Sequence, residues 1–268
     1  MLRGAGSVAD VFTSYIAIGD SFTEGVGDEL PDGRTRGWAD FVALGFALAS
    51  EEPFRYANLA IRGRKLAPLI AEQLAPAIAQ RPQLISLNGG GNDIMRPRVS
   101  IDSVARMLDD AASRVLAADI HMLLLSGANP TQHLPLGGLM RRRGDELAAA
   151  VKARLPKDGI TFVDNWADEG LGDIRYWSAD RLHLNPLGHA RVASNVLTAF
   201  GVPVPQEWGV DEVAAARPGE SSRRTAEYYR RYVLPWIGRR LTGRSSGDGR
   251  TAKIPALTAV DPSTAAPL

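Results

Sequence analysis

The 268-residue sequence predicts an α/β fold, a parallel sheet covered by helices on both faces. Two observations carry that reading. Five short apolar runs alternate with longer stretches of helical periodicity, the rhythm of strand–helix–strand units. Several of the runs are apolar at successive positions, as strands buried on both faces are. With 45% hydrophobic and 23% charged residues, the chain holds enough apolar material for a real core in one domain plus an appendage.

The elements follow in order. Strand-like runs are "YIAIGD" (15–20), "RYANLA" (55–60), "QLISLNG" (83–89), "HMLLLSG" (121–127) and "ITFVDN" (160–165). Between them, residues 37–49 place Trp38, Phe41, Val42, Leu44 and Leu48 on one side of a helix. Residues 66–79 repeat Leu, Ile and Ala, with Pro68 suited to a first turn and Pro76 predicting a late break. Residues 101–118 carry Ile101, Val104, Ala105, Leu108, Val115 and Leu116 at helical spacing behind a capping Ser100. Residues 138–155 and 186–200 follow the same logic.

From about residue 202 the rhythm fails. "VPVPQEWG" reads as a linker, and "TAEYYRRYVLPWIGRRL" (225–241) as a basic, aromatic helix interrupted by Pro235. The remainder, 244–268, reads as a disordered tail rich in Gly, Ser, Pro and Ala. The predicted division is a domain over 14–201, a basic aromatic extension over 202–243 and that tail.

Charge supports the division. The net charge of +1 combines a body of −5 over residues 1–216, a segment of +7 over residues 217–253 and −1 over the last fifteen residues. On a helix Tyr229, Tyr232, Val233 and Trp236 share a face, predicting a helix docked on the acidic body with its aromatic side inward. The same basic-aromatic pattern would serve peripheral contact with anionic lipid. Nucleic acid is not an expected partner, because the body is acidic and no binding motif appears.

With no cysteine in the chain, disulfides, thiolate catalysis and cysteine-held metals are excluded. No cluster has metal-ligand spacing, so neither a metal nor another cofactor is expected. The first thirteen residues contain no apolar signal core, and no run reaches the roughly 18–20 apolar residues of a membrane span, which predicts a cytoplasmic location.

Polar clusters gather where strands end, the side on which open parallel sheets bind ligands. They are Gly19-Asp20-Ser21, "NLAIRG" (58–63) and "NGGGND" (88–93), joined by "SADRLHLNPLGH" (178–189) ahead of the last helix. Each alone reads as turn chemistry. Together, and in this order, "GDSF", "IRG", "GGND" and "DRLHLNPLGH" resemble the four blocks of the SGNH (GDSL-type) hydrolases, over roughly residues 15–200. Phe22 stands where many members have leucine.

The resemblance implies a flavodoxin-like three-layer α/β/α sandwich with a central parallel sheet of about five strands. It implies ester hydrolysis through an acyl-serine: Ser21 as nucleophile, His183 as base and Asp180 as the acid that orients the imidazole. The oxyanion hole would be the backbone N–H groups of Ser21 and Gly63 and the Asn92 side chain. The implied substrate is a small-molecule ester, lipid or acylated carbohydrate. Asp20, Arg62, Arg64 and His133 are candidate substrate contacts, the two arginines by attraction to an anionic group. His189 is read as packing or capping the last helix.

Two other readings stand beside hydrolysis. An acyltransferase would keep every catalytic residue and replace water by an alcohol. A non-catalytic anion-binding module would need strand-end loops but no Asp180–His183 pair.

Overall fold

The apolar runs become the strands β1 Ser14–Ile18, β2 Arg55–Asn58, β3 Leu84–Leu87, β4 His121–Leu125 and β5 Ile160–Val163, with β6 Ile254–Ala259 at one edge. The computed structural model describes residues 12–134, 137–210, 212, 226–235, 238 and 245–264. The sheet order is β5-β4-β3-β1-β2-β6, parallel except for the antiparallel β2–β6 pair. The five parallel strands form the central parallel sheet that the sequence predicts.

Alternation along β1 sorts the core into two layers. Tyr15 and Ala17 face one side with α2 (Trp38–Ala49) and α8 (Pro186–Ala199), where Trp38, Phe41, Phe46 and Val196 are buried. Ile16 and Ile18 face the other, under helices α3 (Leu66–Leu69) to α7 (Gly137–Lys152). Within that layer α6 (Ile101–Leu116) turns Val104, Leu108 and Val115 inward, and Ser100 accepts the Ser103 N–H at 3.3 Å as the expected cap.

The break expected at Pro76 does not occur. The helix widens into a π-helical turn over Ile70–Leu74 and resumes as α4, Ala75–Ala79. A wider turn accommodates a proline that cannot donate to the carbonyl one turn back.

The tail is also corrected. Instead of a disordered 244–268, residues 254–259 form β6 and cover the open edge of β2. The Gln80 side chain accepts the Leu257 N–H at 2.9 Å and donates to the Pro255 carbonyl at 3.1 Å, while Val260 N–H reaches Phe54 O. An edge strand tolerates Pro255, whose missing donor would break an inner ladder. Lys253 anchors the return, its Nζ donating to Glu24 O, Thr35 O and Asp40 Oδ2.

The basic aromatic segment is helical over its described residues 226–235, with a π-helical turn at Tyr229–Val233. Tyr228 is buried and Tyr232 and Val233 are half-buried, whereas Tyr229, also on the expected face, is 38% exposed. Trp236, the fourth member of the expected aromatic face, lies outside the described residues. Among the described residues no helix is long and apolar enough to cross a membrane.

Candidate active site

β1 delivers its last residues into a turn with no spare room. A Cβ on Gly19 would lie 2.3 Å from Thr23 Oγ1, so a side chain there would displace the serine's own helix. The buried Gln73 side chain clasps Gly19 in both directions, accepting its N–H at 2.8 Å and donating to its carbonyl at 3.0 Å. α1 (Ser21–Glu24) starts immediately after, capped by Asp20, whose Oδ1 accepts the Phe22 N–H at 3.1 Å. Burial pushes the Asp20 carboxyl up to about 6, against the lowering effect of the Phe22 N–H and the nearby His183.

Ser21 Oγ lies 3.1 Å from His183 Nε2, and His183 Nδ1 lies 2.6 Å from Asp180 Oδ2. The other oxygen of Asp180 accepts the N–H groups of Leu182 and His183, each at 3.0 Å, and the Ser178 hydroxyl at 2.7 Å. Burial alone would raise this carboxyl. The hydrogen bond and charge of His183, helped by the two backbone donors, outweigh it and hold Asp180 well below the ordinary carboxylate range. An ionised acid on Nδ1 leaves Nε2 free to accept a proton.

The loop carrying acid and histidine is a pinned hairpin. Trp177 bridges Leu184, Ser178 N–H donates to His183 O at 2.9 Å, and Trp177 Nε1 donates to Leu171 O at 2.7 Å. Its tip turns on Arg181, a non-glycine residue at φ 59, a conformation that costs roughly 1–2 kcal/mol. The Arg181 guanidinium stacks 4.6 Å from the Tyr228 ring centroid, and the Tyr228 hydroxyl donates to Asp180 O at 3.2 Å. The extension thus touches the loop of Asp180 and His183 directly.

The glycine loop opposite is held by charge. Buried Glu24 accepts the Arg62 N–H at 2.6 Å and its guanidinium at 2.6 and 2.8 Å. Asp93 Oδ2 accepts the Leu66 N–H at 2.8 Å, tying this loop to the start of α5 (Gly91–Ile94), which carries Asn92. Gly63 has φ 74, a left-handed conformation, and a Cβ there would meet Ser245 Oγ at 2.4 Å. Among the described residues neither the Ser21 nor the Gly63 N–H has a hydrogen-bond partner. Asn92 Nδ2 donates to Asp20 Oδ2 at 2.9 Å and to Arg64 O at 3.0 Å.

Asp20, Ser21, Gly63, Asn92, Asp180 and His183 all line one cavity of about 860 Å³. Arg62, Arg64 and His133 do not. Arg62 is turned to Glu24 and Arg64 to Glu72, so neither is presented to a ligand. His133 is buried, donating from Nε2 to Gly172 O at 2.9 Å with its ring on Trp177. These three are withdrawn as substrate contacts. His189 packs as expected: Nδ1 accepts the Trp38 N–H, Nε2 donates to Val26 O, and burial lowers it to about 3, leaving it neutral.

Sequence reasoning missed Gln73, Glu24 and Tyr228. A lone glutamine on the apolar face of 66–79 and an acid one turn after the serine were the available signals; Tyr228 sat beside the face that was chosen.

Residues 17–191 match the model of the GDSL-like lipase/acylhydrolase family. The chain belongs to this family. It is a hydrolase acting on ester bonds. Among curated proteins none matches it in sequence. Among solved structures, the chain is similar to the lipase Lip_vut3 from a goat rumen metagenome: 18% identity, 69% of this chain and 96% of the other, TM-score 0.59. It is also similar to Axe2, an acetylxylan esterase from Geobacillus stearothermophilus, with 21% identity, coverage of 71% and 95%, and TM-score 0.56. TesA matches with 22% identity, coverage of 69% and 97%, and TM-score 0.56. At these identities the likeness is one of fold. The relatives are covered almost whole while about three tenths of this chain is left over, and residues 226–264 lie beyond the family match.

Proposed function

We propose that this esterase works through an acyl-serine intermediate on Ser21. The observation that carries the reading is the unbroken relay from Asp180 through His183 to Ser21, at 2.6 and 3.1 Å, opening onto a cavity. Ser21 Oγ attacks the ester carbonyl carbon as its proton passes to His183 Nε2. Asp180, ionised and held by three further donors, stabilises the imidazolium and keeps Nδ1 protonated. The tetrahedral intermediate collapses, and Nε2 returns the proton to the departing alcohol oxygen. Water then repeats the sequence on the acyl-enzyme, releasing the acid and restoring Ser21.

The negative oxygen is received by the Ser21 and Gly63 N–H groups and by Asn92. The two backbone donors are free to act at once. Asn92 must exchange one of its bonds, to Asp20 or to Arg64 O, before it can donate to the oxyanion. That exchange places its contribution at the lower end of the 10²–10³-fold usual for such a donor, about 10².

The test is hydrolysis of p-nitrophenyl esters by purified Ser21→Ala and His183→Ala. Each is expected to lose at least about 10⁴-fold in kcat while melting like the parent chain. Retained turnover in Ser21→Ala overturns the assignment.

A further inference from the structure

We infer that the cavity beside Ser21 is an acyl-chain site, and that the preferred substrates are esters of medium-chain fatty acids, not acetyl esters. This rests on the proposed role of Ser21, since the acyl carbonyl must sit at that hydroxyl. The same cavity that meets Ser21 and His183 is lined at its far end by Leu108, Leu124, Leu147, Val151 and Phe162.

The sheet register explains why that end is open. Ile18, Leu87, Leu124 and Phe162 form one row across β1, β3, β4 and β5. Ile18 and Leu87 do not reach the cavity, whereas Leu124, itself only 4% exposed, and Phe162, the outer half of the row, line it beneath α6 and α7. From β1 to β5 is three strand spacings, about 14 Å, enough for an extended acyl chain of roughly ten carbons.

The chemistry of the far wall favours an acyl chain over a sugar. Carbohydrate needs free donors and acceptors, since a buried hydroxyl without a partner is costly. Polar groups that follow β3, β4 and β5 along this wall bond within the protein instead. Asn88 Nδ2 donates to Leu125 O, Ser126 Oγ donates to Asp164 and accepts the Trp166 N–H, and Trp166 Nε1 donates to Asp145. Leu108, Leu124, Leu147, Val151 and Phe162 therefore present apolar surface at that end, while Lys65, Arg96, Tyr229, Arg231 and Tyr232 supply the polar part of the lining elsewhere. Tyr232 and Val233 of the extension line the same cavity, so a segment outside the family match helps to enclose it.

The experiment is a chain-length series of p-nitrophenyl esters on the full chain, with an acetylated sugar alongside. From acetate towards octanoate, kcat/KM should rise by up to about fourfold per methylene, the factor equivalent to burying one CH₂. A best substrate at acetate, a flat series, or preference for the acetylated sugar overturns the proposal. Val151→Phe, which narrows the far end, should lower the ratio of kcat/KM for dodecanoate to that for acetate at least tenfold; an unchanged ratio, read on a variant that melts like the parent, counts against it. Binding is read independently on Ser21→Ala with a fluorescent fatty acid. The probe should bind and be displaced by dodecanoate but not by acetate. Absence of binding overturns the acyl site, whereas hydrolysis persisting in Ser21→Ala overturns the catalytic assignment and leaves the binding result standing.

Discussion

Two loops face each other across Ser21, and they are held in place by different forces. The loop of Asp180 and His183 is pinned by neutral backbone pairing, the Trp177–Leu184 bridge and the Ser178–His183 hydrogen bond. The loop of Gly63 is latched by carboxylates: Glu24 on Arg62 and Asp93 on the Leu66 N–H. The difference follows from what each must do. An acid and a base three residues apart need one fixed distance, which a hairpin supplies. The proposed oxyanion donors, on Ser21, Gly63 and Asn92, come from three separate strand ends, which only long-range contacts can bring together. Geometry at the base is therefore local, and geometry at the oxyanion is a property of the whole upper surface.

Breaking the first loop should have the larger effect. Asp180→Asn keeps the shape but removes the charge that fixes the imidazole, and kcat is expected to fall about 10⁴-fold with KM little changed. A loss below tenfold would mean that the hairpin alone orients His183. Breaking the second loop at its donor should cost less. Asn92→Ala is expected to lower kcat about 10²-fold, and an effect confined to KM would instead mark Asn92 as a ground-state contact.

Asp20 stands between the loops, capping the serine's helix and holding Asn92. Its carboxyl titrates near 3.8 when unfolded and about 6 when folded. The folded chain therefore keeps a proton across this window that the unfolded chain has released. Stability is lost as pH rises through the window, and the full cost, about 3 kcal/mol, stands above it. Asp20→Asn retains a capping oxygen without the charge. Thermal melts should show it more stable than the parent near about pH 8 and no more stable near about pH 4. A constant offset at both pH values would contradict the burial of an ionised Asp20.

The smallest effect sharpens the contrast. Glu24→Gln preserves an acceptor for the Arg62 N–H but removes the ion pair, exchanging charged for neutral hydrogen bonds at a cost near 1.4 kcal/mol. Expressed on the oxyanion loop, that is about a tenfold drop in kcat. An unchanged kcat would show that Gly63 is placed without the latch.

Much of this was legible in the chain. All five parallel strands, and the polar blocks that the fold brings to one cavity, follow from apolar runs, turn residues and block order, because each is encoded within a few neighbouring positions. What escaped was encoded between distant ones. β6 looked like tail because Pro255 and small residues mask Ile254, Leu257 and Val260, and its pairing is set by Gln80 and Phe54, far away in sequence. Arg62 and Arg64 read as free cations because nothing beside them announces Glu24 and Glu72. Tyr228, the most buried aromatic of the extension, stands outside the expected face because its partners, Asp180 and Arg181, lie at the tip of a distant loop.

The central claim is that Ser21 is the atom that becomes acylated. It is tested most directly by treating the full chain with a fluorophosphonate and locating the adduct by peptide mass spectrometry. The account predicts one adduct, on Ser21, formed in step with loss of ester hydrolysis and formed far more slowly in His183→Ala. Full inactivation with the adduct on any other residue, or an unmodified Ser21 in the inactivated enzyme, would contradict it.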